Sequence, residues 1–99
     1  MKFLLNGSIV LALFFSVSAP ATAEQTKRNM AACVSEDFLD ELMTYSTKGD
    51  EAGMRQLFVT GKCTYLTAGT TVSVIDQGFM VATIRYKGIK LFTPSEAIR

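Results

Sequence analysis

Cys33 and Cys63 are the only cysteines of a 99-residue chain that has no histidine and no tryptophan. A redox pair favours Cys-x-x-Cys spacing and a neighbouring positive group that activates one thiol. These two stand thirty positions apart. Without histidine the chain lacks the usual general base and the commonest metal ligand. Two thiolates also fall short of the four ligands of a structural zinc site. The spacing suits a disulfide, and closing a loop of that length stabilises a fold by roughly 3.5 kcal/mol in the chain-entropy account. The carboxylates of Glu36, Asp37, Asp40 and Glu41 form a second cluster. Paired carboxylates serve acid–base chemistry when their surroundings separate their pKa values. Here the i,i+4 repeat describes the solvated face of a helix instead, without the glycine-containing oxygen loop of a calcium site. No serine sits in a Gly-x-Ser-x-Gly elbow, and no glycine loop is built to cradle phosphate. The expectation is a protein that binds rather than converts, with no metal and no cofactor.

The residues suited to binding lie near the C-terminus. Arg85, Tyr86, Lys87, Lys90 and Phe92 combine cations with aromatic rings, and interfaces favour such anchors. Charge is segregated along the chain. Glu36 to Glu51 holds six acids against Lys48 alone, whereas Lys62 to Arg99 holds five bases against Asp76 and Glu96. Two faces of opposite sign steer an acidic partner onto the basic one and also permit self-association. The totals are 10 Lys plus Arg and 9 Asp plus Glu, without the basic excess of a nucleic-acid binder. Tyr65, Tyr86 and Phe92 read equally as interface or core until the strand register is known.

These residues need elements to hold them. Lys2 followed by the apolar run Phe3 to Val17, then small residues ending in Ala21 and Ala23, is the pattern of a secretory signal cut before Glu24. The run falls short of the roughly 20 apolar residues of a membrane span, so no stable membrane anchor is expected. The leader is residues 1–23, and a single domain of residues 24–99 remains. That places the protein in the periplasm or outside the cell, where paired cysteines oxidise. Glu24 to Met30 is polar and reads as a loose start. Val34, Phe38, Leu39, Leu42 and Met43 then make an apolar helical stripe. Ser35 is its N-cap and Gly49 its terminator. Asp50 caps a second helix carrying Met54, Leu57 and Phe58, so a helical hairpin spans about residues 34–60, with Gly53 an unusual interior residue. From Lys62 the grammar changes to strands: Cys63–Thr67, Thr71–Ile75, Phe79–Tyr86 and Ile89–Phe92, with Lys87-Gly88 a tight reversal. Pro94 opens a closing helical turn.

In this C-terminal half, Leu66-x-x-Gly69-Thr70-x-Val72-x-Val74, Val81-x-x-Ile84-x-Tyr86-x-Gly88, Leu91-Phe92 and Ser95-x-x-Ile98 together resemble the bacterial SH3-like domains. The resemblance covers about residues 62–99. It implies a small, strongly bent barrel of the kind that binds peptides, cell-wall material or other proteins in exported chains. The family's Arg-Ser-Gly opening strand is absent, a helical hairpin stands in its place, and no tryptophan lines a groove, so the family's ligand-binding residues do not carry over. The expected fold is α+β, an N-terminal helical hairpin packed on a bent antiparallel sheet or SH3-like partial barrel, with the β meander over about residues 62–99. The expected function is a non-enzymatic envelope module that binds another envelope protein or peptide. The alternatives are an inhibitor of an envelope or host hydrolase and a peptidoglycan-binding module.

Overall fold

The computed structural model describes residues 22–99. The apolar leader and Ala21 lie outside the described residues. The elements are β1 (Thr22–Gln25), β2 (Met30–Cys33), α1 (Glu36–Lys48), α2 (Glu51–Val59), β3 (Cys63–Leu66), β4 (Thr71–Gln77), β5 (Val81–Tyr86), β6 (Ile89–Pro94) and a closing 3-10 turn (Ser95–Ala97). The fold is α+β, with one six-stranded sheet in the order β1-β4-β5-β6-β2-β3. Every pairing in it is antiparallel.

The helices follow from local chemistry. The Phe38 N–H donates to Ser35 Oγ at 3.1 Å and the Gly53 N–H to Asp50 Oδ1 at 2.9 Å, so each helix has a side-chain cap. The first helix ends at Gly49 in the left-handed conformation, φ 73°. Gly53 has a packing reason. A Cβ there would lie 2.9 Å from the Tyr45 ring, so the missing side chain lets α1 and α2 approach.

The chain before the helices departs from the loose start its polarity suggests. Glu24 and Gln25 belong to β1, whose register matches Ala23 with Ser73 and Glu24 with Val72. The Ala23–Glu24 bond, the expected cut, therefore lies within a paired strand. Buried Thr26 explains the order that follows. Its hydroxyl donates to the Thr67 carbonyl at 2.8 Å and accepts from the Thr70 N–H at 3.0 Å. Its own N–H and carbonyl bond Thr70 and Gly69, and the Lys27 N–H donates to the Ala97 carbonyl at 2.7 Å. These partners lie some 40 to 70 residues away in sequence, beyond the reach of a local pattern.

The sheet curls. Leu66 of β3 and Val72 of β4 are four strand spacings apart in the sheet order, about 19 Å if it were flat. Yet both join one buried cluster with Ala32, Ala82, Ile84 and Leu91, which Ala97 and Ile98 close from one end. The opposite face of β5 and β6, at Val81 and Phe92, packs under the helices with Leu39, Leu42, Leu57 and the two cysteines.

Several strand expectations change. The β3 strand ends at Leu66 instead of Thr67, and β6 runs on through Pro94, which precedes the closing turn instead of opening it. The strand expected to start at Phe79 starts at Val81. The Gly78 N–H donates to the Val81 carbonyl at 3.0 Å, and Ser95 bonds the Gly78 and Met80 carbonyls, folding 78–81 into a turn. Phe79 and Met80 thereby leave the ladder. The β4 strand runs past Ile75 to Gln77 through a bulge between Val74 and Asp76. Only β4, β5 and β6 form a meander. The β3 strand returns beside β2, so the helical hairpin is an insertion between two paired strands. Cys33 and Cys63 face one another at its root, Cα atoms 3.9 Å apart, and are joined as a disulfide.

Candidate functional site

The Lys87–Gly88 turn reverses the chain between β5 and β6. Both residues have positive φ, 52° and 81°, the signature of the two-residue hairpin turn whose twist matches that of the strands. Lys87 is the one non-glycine residue with positive φ among those described. Such a short turn leaves no freedom of register. It sets Tyr86 opposite Ile89, Arg85 opposite Lys90 and Thr83 opposite Phe92.

Alternation across the strands then divides the sequence-selected residues. Arg85, Lys90 and Phe92 share the helix-side face, and Tyr86 lies on the inner one with Ile84 and Leu91. Phe92 is half-buried against the helix layer, and Lys90 Nζ lies 5.7 Å from its ring centroid. Tyr86 is half-buried at the open end of the curled sheet, where Lys87 Nζ lies 5.2 Å from its ring. Tyr65 is exposed on the helix-side face of β3, where it lines a hollow with Leu39, Met43 and Phe58, and does not join this group.

At that open end a cavity of about 170 Å³ is lined by Val34, Lys62, Thr64, Tyr86, Lys87 and Ile89, among others. Its charged lining residues are Lys62 and Lys87 alone, and its exposed apolar rim is Val34 and Ile89. Lys62 also lies 5.3 Å from the Phe38 ring. Sequence reasoning missed Val34, Thr64 and Ile89. Ile89 was discoverable, because it directly follows the turn opposite Tyr86.

Electrostatics single out this region. Arg85 stands directly opposite Lys90, and like charges in that position destabilise a sheet. The ion pairs among the described residues are Lys27–Glu24 and Arg28–Glu96, so no described carboxylate forms an ion pair with Lys62, Arg85, Lys87 or Lys90. The acids of α1 are likewise exposed and form no ion pair within the described residues. Among the described residues no three His, Cys, Asp or Glu side chains converge to hold a metal ion. No described helix is long and apolar enough to cross a membrane. The chain matches no family model, no curated protein and no solved structure.

Proposed function

We propose that the protein is an exported, non-enzymatic binding module of the cell envelope. Its β5–β6 hairpin receives an acidic, partly apolar segment of another envelope protein or peptide. The observation that carries this reading is the Arg85–Lys90 pair, two cations held opposite each other and ion-paired to no described carboxylate. An arrangement unfavourable in the free protein becomes favourable once a carboxylate bridges it. The adjoining cavity with Lys62, Lys87 and the Ile89 rim adds an apolar contact to the charge. The disulfide is a bond of oxidising compartments, in keeping with the signal pattern before Glu24. The SH3-like resemblance of residues 62–99 supports a binding rather than a catalytic role.

The test is titration of a fluorescently labelled Glu/Leu peptide, followed by anisotropy at low and high salt. Binding should weaken at least about tenfold in the Arg85→Glu/Lys87→Glu variant and with added salt. In parallel, wild-type protein should retain envelope proteins that the variant does not. Equal peptide binding by wild type and variant overturns the reading.

A further inference from the structure

We infer that the partner of the hairpin includes a second copy of this chain, docked head to tail. The inference rests on the hairpin reading above and adds the surface it meets. That surface is an apolar groove on the other side of α1. It consists of two adjoining hollows of about 340 and 380 Å³ that share Leu39, Met43 and Pro94. One runs toward Tyr65 and the other toward Phe79 and Met80. Phe79 and Met80 are 82% and 72% exposed, a costly placement for adjacent large apolar residues in a small monomer. They are not loosely held. The Arg99 guanidinium donates to the Phe79 carbonyl at 2.7 Å and lies 5.9 Å from its ring centroid, and the Ser95 N–H holds the Met80 carbonyl at 2.9 Å. The pair is presented on a fixed turn.

Charge names the occupant. Two acids, Asp40 and the Arg28-paired Glu96, line the groove against one cation, Arg99, which is engaged with Phe79, and Glu36 precedes Asp40 by one helical turn. With Asp37 and Glu41 these two make the α1 bank acidic and free of ion pairs among the described residues. The complementary feature elsewhere on the molecule is the hairpin, a set of cations unpaired among the described residues around an exposed apolar tip, Ile89 at 55%. The two surfaces are different patches of one chain, so each copy can give its hairpin to one neighbour and its groove to another. A contact of that kind is heterologous and generates rings or open chains rather than a closed two-fold pair.

Sedimentation velocity on the purified full-length product provides the test. Met80→Lys disables the groove and Ile89→Asp the hairpin tip, and both positions are exposed enough to leave the fold intact, which circular dichroism verifies. The wild type should gain mass with concentration and lose it in high salt. Each variant alone should sediment as a single chain at concentrations where the wild type assembles. An equimolar mixture of the two should form a two-chain complex and nothing larger, because one intact hairpin and one intact groove remain. A wild type that stays single-chain throughout overturns the inference, as does a mixture that forms no pair. If the single-chain wild type still binds the Glu/Leu peptide, self-docking fails and the hairpin reading stands. If it binds a labelled Lys/Leu peptide that the Met80→Lys variant does not, the groove takes a foreign basic segment and self-docking again fails.

Discussion

The molecule holds two apolar layers on the two faces of one sheet, and they are built differently. The inner layer consists of compact aliphatic residues, with Ala32, Ala82 and Ile84 fully buried and the curled strands wrapped around them. The helix-side layer buries Leu39, Leu42 and Leu57, but its outer shell is half-exposed Phe38, Tyr45, Met54, Phe58 and Phe92. Strand pairing runs unbroken through six strands around the first layer. The second is clasped at one point, the disulfide at the root of the helical insertion. Stability therefore resides in the inner layer. The groove and the Arg85–Lys90 pair lie on the helix side, and the cavity at Tyr86 and Ile89 lies at the open end of the inner layer.

The inner layer is most vulnerable at Ile84. Truncation to alanine should cost about 3–4 kcal/mol, read from urea unfolding. Small domains hold only about 5–15 kcal/mol in total, so a substantial unfolded fraction is the expected outcome. Removing the clasp with Cys33→Ala/Cys63→Ala should cost roughly 3.5 kcal/mol or less, and unevenly. Amide exchange should accelerate in α1 and α2 well before it does in β4 and β5, whereas uniform acceleration would show the two layers to be one cooperative unit. Gly53→Ala is a finer probe of the helix layer. Helix propensity favours alanine by about 1 kcal/mol, yet the Tyr45 ring occupies the space for the new methyl. A net destabilisation is expected, turning to a gain when Tyr45→Ala provides the reference background.

What was legible in the sequence follows the range of the interactions. Both helices, their caps at Ser35 and Asp50 and the end at Gly49 depend on neighbours within a few positions, and these are visible in the sequence. The pairing of β1 with β4, and of β2 with β3 and β6, is not. Polar Glu24 and Gln25 become a strand because β4 offers them an edge, and Thr26 is buried by partners from Thr67 to Thr70. The start of β5 was misplaced for a similar reason, because Ser95, far along the chain, holds the turn that removes Phe79 and Met80. Of the binding surface, the residue types were legible and their faces were not. The two-residue turn at Lys87–Gly88 fixes the register that separates Tyr86 from Arg85 and Lys90. The apolar groove was invisible in one dimension, because its walls come from α1 and from segments about 40 and 55 residues later.

The claim that the hairpin retains unfavourable charge for the sake of a partner is tested most directly by Lys90→Glu, measured for stability and peptide binding together. The substitution gives Arg85 a carboxylate directly opposite, so the unfolding midpoint should rise by the equivalent of about 0.5 kcal/mol. Affinity for the Glu/Leu peptide should fall at least about tenfold, since the bridging carboxylate is now supplied from within. A variant that gains stability and binds the acidic peptide as well as the wild type contradicts the account.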